Sequence, residues 1–170
     1  LGKAVDTVHR AGFPVAIHAI EQEAVEAAVS VLSTAIPVET SSSGNSVPPV
    51  DRIEHCAECP PALVAEIAKS GCMVVTQPGF VYWNGDSYLE RVEAPMLPNL
   101  YPVSALAKAG IPLAFGSDAP VIDANPWLGV YNAVTRRTSS GSSLPAEASE
   151  GYAVSITEAL RMYTAAGAKA

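Results

Sequence analysis

Apolar residues in this chain fall into two alternating patterns. Short runs occupy residues 14–18, 51–56, 72–76 and 112–117, charged residues flanking Ile53 in the second. Each has the length of a strand. Between them, apolar positions recur every three or four residues. Over residues 21–36, Val25, Ala28, Val29 and Leu32 stand at i, i+3, i+4 and i+7, one face of an amphipathic helix. Pro60-Pro61 open a second helix, where proline is tolerated, with Leu63, Val64 and Ile67 on its inner face and Gly71 as its C-cap. Helices are also expected over residues 101–109, ended by Gly110, and over 126–137. Ser155-Ile156-Thr157-Glu158 is a capping box that starts a final helix, and a helix running up to Gly12 precedes the first strand. Residues 77–98, rich in aromatics, glycine and proline, read as irregular. The order is helix, four βα units, helix. Apolar strands alternating with helices imply an α/β domain whose parallel sheet is buried on both faces. Residues 1–170 form one such domain.

Two polar tracts punctuate this pattern. Thr40-Ser41-Ser42-Ser43-Gly44-Asn45-Ser46, followed by Pro48-Pro49, reads as a flexible connector. It joins a helix to a strand, so it belongs at the end of the sheet that carries stability rather than chemistry. The second tract, residues 138–143, reads as loop.

The chemistry gathers at the ends of the runs. His18 closes the first, His55 stands at the end of the second, and Asp118 follows the fourth in Gly116-Ser117-Asp118. A catalytic group at the C-terminal mouth of successive strands is the arrangement of βα enzymes. His, His and Asp are ligand types of hydrolytic metal sites. With period two, His18 shares a face with Ala16, and Asp118 with Gly116 and Ala114, leaving space beside both. The same period puts His55 on the face of Ile53, and Arg52 and Glu54 together on the outward face, where they could pair. His9 is expected on the exposed side of its helix.

Composition narrows the partners. The chain has 170 residues, 49% of them apolar, and a net charge of −7. The densest basic spot is Arg136-Arg137, for which salt bridges are the default, so nucleic-acid binding is disfavoured. No run approaches the ~18 apolar residues of a membrane span, and no secretory signal opens the chain. Three cysteines, Cys56, Cys59 and Cys72, are too few for a disulfide framework and favour a reducing, cytoplasmic setting. Cys56-Ala57-Glu58-Cys59 has C-x-x-C spacing, but it follows a better-explained histidine, and buried or loop cysteines are the simpler reading. The opening Leu1-Gly2-Lys3-Ala4 reads as the middle of a helix, so the chain is expected to be part of a longer protein.

Several motifs taken together carry a resemblance. His18-Ala19-Ile20, Arg52-Ile53-Glu54-His55, Gln77-Pro78, Phe115-Gly116-Ser117-Asp118-Ala119-Pro120 and Ala133-Val134-Thr135-Arg136-Arg137 closely resemble the amidohydrolase superfamily. The nearest branch is amidohydrolase family 3, which includes N-substituted formamide deformylase-like enzymes. The resemblance covers nearly the whole chain. It implies the C-terminal half, about four βα units, of a metal-dependent (β/α)8 TIM barrel: strands five to eight and the final helices. It implies His18 as the ligand after strand five, His55 after strand six, and Asp118 as ligand and general base after strand eight. The family's first-strand His-x-His pair and fourth-strand lysine or acid ligand would lie before Leu1.

The implied activity is hydrolysis of a non-peptide, amide-like C–N bond by water activated on a divalent metal, zinc by expectation, with one or two ions in the complete protein. Gln77, Phe80, Trp83 and Glu21 are candidate substrate contacts. Glu21, three residues after His18, resembles the spacing of adenosine deaminase-like enzymes. Against that, Ala119 stands where those carry a second aspartate, and a first-turn acid is favoured by the helix dipole. A hydrolytic deaminase is therefore the alternative enzyme, and a non-catalytic truncated fragment the alternative outside enzymes. The expected partners are a small-molecule substrate and either a second copy or the missing N-terminal half of the barrel.

Overall fold

The computed structural model describes residues 1–38, 50–145 and 154–170. The connector centred on residues 40–49 therefore lies almost wholly outside the described residues.

Four short strands form one parallel sheet: β1 (Ala16–Ala19), β2 (Arg52–His55), β3 (Met73–Thr76) and β4 (Leu113–Phe115), ordered as in the sequence. Helix α1 (Gly2–Arg10) precedes β1. Helix α2 (Gln22–Thr34) follows β1, α3 (Pro61–Ser70) follows β2, and α4 (Gly79–Arg91) with α5 (Val103–Lys108) links β3 to β4. Helix α6 (Pro126–Thr135) follows β4, and α7 (Ile156–Arg161) continues into a wide turn over Met162–Ala166. Gly71 ends α3 at φ 74°, a conformation that glycine adopts without strain. Ser155 and Glu158 cap α7 reciprocally, as their spacing predicts.

Register decides which side chains share a face. Ile17 pairs with Ile53, Ile53 with Val74, and Val74 with Leu113. This row enters the main core with Val25, Val29, Ile67 and Leu106 of the helices. The opposite row, Ala16, Arg52 and Met73, then His18, Glu54, Val75 and Ala114, lines the inner face. Arg52 and Glu54 do pair through Nε and Oε1, but on the face of His18 rather than on the outward face. Period two went astray at β2 because Ile53, fully buried, faces the helices.

Three other expectations are corrected. The segment after β3 is mostly helix: α4 carries Phe80 and Val81 into a second core with Ala57, Leu97, Leu100, Tyr101 and Leu144. Ala57 follows β2, and Phe80 and Val81 follow β3, within a few residues, so this core sits over the strand C-termini. His9 is buried, at 1% exposure, because its ring bonds the Ile36 carbonyl at 2.6 Å and Asp51 Oδ1 at 3.0 Å. Among the described residues Arg136 makes no salt bridge. It is buried and donates to the Leu100, Tyr101 and Pro145 carbonyls, locking α6 to the segment after α4. Burial lowers its pKa to about 10, still charged at neutral pH.

Among the described residues no helix is long and apolar enough to cross a membrane.

Candidate active site

The site begins with a break in strand geometry. His18, at the end of β1, pairs in register with Glu54, and Ala19 pairs with His55. A regular strand would therefore hold the two imidazoles on opposite faces. His55 instead has φ 72°, and Cys56 after it φ 52°. This left-handed turn breaks the alternation and swings the His55 ring against His18, edge to face, with centroids 4.5 Å apart. Asp118 also stands in a left-handed conformation, φ 61°, three residues beyond the end of β4. The Val121 amide donates to its carbonyl at 2.9 Å, so the chain turns sharply there. The carboxylate lies near enough to act electrostatically on both His55 and Tyr101.

Burial differs across the set. His18 and Asp118 are exposed, whereas His55 is buried. Burial and the neighbouring His18 lower the pKa of His55, and Asp118, Gln77 and Glu54 oppose this only in part. His55 is thus neutral at neutral pH, the form in which imidazole offers a lone pair to a metal. Two imidazoles in contact and a nearby carboxylate suit a divalent ion of borderline softness such as zinc. They fit as part of a ligand set: among the described residues no three acid, thiol or imidazole side chains already surround one point.

The four candidate substrate contacts separate into two pairs. Gln77 and Phe80 are buried. The Phe80 ring lies 6.3 Å from His55 and stacks parallel on Tyr101 at 6.0 Å, so it braces the site from below. Burial drives the Tyr101 phenol well above its usual pKa, keeping it neutral. Trp83 and Glu21 are exposed. Glu21 is the N-cap of α2 but makes no side-chain cap; the capping bond comes from Glu58, whose Oε2 accepts from the Gln22 amide at 3.1 Å. Trp83 forms one wall of an open cleft of 730 Å³, with Asn84, Pro120, Ile122 and Asp123. The residues just after Asp118 line this cleft and were not among the candidates drawn from the sequence. Their one signal was adjacency to that carboxylate.

The C-x-x-C thiols, Cys56 and Cys59, are both free and buried. Its hydrogen bond to Cys59 and burial push the Cys56 thiol well above its ordinary pKa, which disfavours the reactive thiolate.

Comparison with known proteins bears on the family and the fold. A model described as "Amidohydrolase family" matches residues 1–170. The Bacillus subtilis protein YtcJ, named as an amidohydrolase, is 27% identical over 164 residues, covering 96% of this chain and 29% of its own length. An N-substituted formamide deformylase of Arthrobacter pascens is 30% identical over 154 residues, covering 90% of this chain and 27% of its own length. Among solved structures, an uncharacterized metal-dependent hydrolase from Pyrococcus horikoshii superposes with a TM-score of 0.71 at 28% identity. It matches 93% of this chain and 29% of its own. Its counterpart from Pyrococcus furiosus gives 0.69 at 25% identity, over 92% of this chain and 28% of its own. The chain therefore spans less than a third of the relatives that it matches.

Proposed function

Because this chain belongs to the amidohydrolase family, we propose that it supplies part of the active site of a metal-dependent hydrolase that cleaves non-peptide, amide-like C–N bonds. The observation that carries this reading is the His18–His55 contact, made across two strands by a left-handed turn. His18 and His55 are the proposed imidazole ligands, and Asp118 completes their side of the site. These residues would hold a divalent metal, zinc by their ligand chemistry, which would lower the pKa of a water there to near 7.

The chain's own groups do the remaining work. Asp118, exposed and close to His55, accepts a proton from the attacking water and returns it to the leaving nitrogen. Phe80 and Tyr101 keep the floor apolar, which strengthens charge interactions above them. The substrate lies in the cleft beside Trp83, a small molecule with a carbonyl reaching Asp118. The similarity to a formamide deformylase supports an amide-like bond over the exocyclic C–N bond that a deaminase breaks.

The inner face carries Ala16 and His18 in exposed positions, and β1 and β4 are the sheet edges among the described residues. We propose that either further strands of the same barrel or a second copy covers this face, because strand edges recruit strands.

The test is hydrolysis of a panel of N-substituted formamides and related amides by the complete protein, before and after chelator treatment and zinc restoration. Chelator-sensitive, zinc-restored amide cleavage abolished by Asp118→Asn is the expected result. Cleavage that survives both treatments overturns the proposal.

A further inference from the structure

Gln77 leaves β3 directly beside the site and is 4% exposed. Its Nε2 donates to the Val75 carbonyl at 3.3 Å. That bond fixes which way the amide faces, because a flipped amide would set two carbonyl oxygens against each other. The Oε1 atom is then left buried beside the His55 ring, where it makes no hydrogen bond of good geometry. A buried carbonyl oxygen without a donor is destabilising, and the ring N–H of His55 is a donor of the right kind. His18 on one side and Phe80 on another limit how the ring can turn.

A neutral imidazole has one N–H and one lone pair, and the partner of the first decides which nitrogen keeps the second. We infer that Gln77 is the positioning residue of His55: its amide oxygen receives the ring N–H, fixes one tautomer, and leaves the other ring nitrogen as the metal ligand. The inference rests on the reading of His55 as a ligand. It assigns to an uncharged amide the role that a carboxylate or backbone carbonyl fills behind many metal-bound histidines. The missing step is small, a ring rotation that closes the His55–Gln77 bond.

Two variants separate positioning from packing. Gln77→Leu keeps the bulk and removes the acceptor; Gln77→Glu keeps the acceptor. In the metal-free complete protein, the ¹⁵N shifts of the His55 ring report its tautomer. The wild type and Gln77→Glu are expected to show one tautomer, and Gln77→Leu a mixture or the opposite one. Zinc affinity, measured by competition with a chromophoric chelator, should fall 10–100-fold in Gln77→Leu and stay within a few-fold in Gln77→Glu. Should Gln77→Leu not fold, Gln77→Met is read in the same way. A Leu variant with the wild-type tautomer and wild-type zinc affinity overturns the inference. A tautomer that responds to Gln77 in a protein that binds no zinc leaves the positioning role standing and overturns the metal reading instead.

Discussion

His18 and His55 meet edge to face at 4.5 Å although strand register places Glu54, not His55, beside His18. The contact depends on one backbone angle, and the expected behaviour of the site follows from it. His18→Ala and His55→Ala should each abolish stoichiometric zinc binding, because the chain's remaining imidazole, His9, is held by Ile36 and Asp51. Asp118→Asn should retain more metal and lower kcat by about 10²–10⁴-fold, the usual worth of a positioned general base. Metal analysis beside kinetics on the complete protein separates the two effects.

His9 gives the fold a pH dependence away from the site. Burial alone would lower its pKa, but the Ile36 carbonyl, the hydrogen bond to Asp51 and the charges of Asp51 and Asp6 outweigh burial and raise it. A raised histidine stabilises the fold fully below its unfolded value of about 6.5. That stability is lost as pH rises through the folded value. His9→Gln should therefore cost most at pH 5–6, on the order of 1–3 kcal/mol, and the difference should shrink towards pH 8. Denaturant titrations at several pH values measure it.

Asp86 latches the loop after α6. It accepts from Thr138 Oγ1 and Ser140 Oγ, both at 2.7 Å, and these bonds, Ser140 first, lower its pKa. A lowered carboxylate holds the loop above its unfolded value and releases it as pH falls through the folded one. Asp86→Asn should speed amide exchange over residues 138–142 at neutral pH and leave the strands protected. Unchanged exchange in that loop would refute the latch.

Gly129 makes room for Tyr163. A Cβ there would sit 1.7 Å from Tyr163 Oη and 2.6 Å from Cζ, so the ring must leave its place against Phe115. Gly129→Ala should destabilise by roughly 1–3 kcal/mol, the usual cost of overpacking, despite the better helix propensity of alanine. Thermal unfolding is the measurement, and Gly129→Ala combined with Tyr163→Phe tests whether the hydroxyl carries the clash.

The open inner face leads to a prediction about association. Expressed on its own, the 170-residue chain should sediment as a dimer or larger at ~10⁻⁵ M, a concentration at which micromolar contacts are occupied. A monodisperse monomer would show that the chain covers that face itself.

Much of this was readable from the residues. Alternation of apolar runs with 3.6-residue periodicity suffices for a parallel sheet, and the chemical side chains stand at the strand ends because βα loops begin there. What escaped reading depends on partners distant in sequence. His9 looks like a surface residue until Asp51, 42 positions away, and Ile36 reach it. The sequence Gly79-Phe80-Val81-Tyr82-Trp83 has weak helix propensity, yet burial of Phe80 and Val81 in the second core overrides it. Period two misassigned β2 because a strand's face cannot be taken from its last residue when that residue turns left-handed. Arg136 looked like half of a salt bridge, since no pattern announces that backbone carbonyls will surround it.

That left-handed pair also has an energetic side. His55 and Cys56 each hold a conformation that costs a non-glycine residue about 1–2 kcal/mol. Glycine at position 56 would adopt the same angle freely, so Cys56→Gly is a replacement that the backbone favours and the core opposes, since the buried thiol would leave a void. The protein thus retains tension next to the two imidazoles. Its stability is spent in the one place where relaxing the chain would pull the two rings apart, and variants selected only for heat resistance should tend to ease that turn at the expense of turnover.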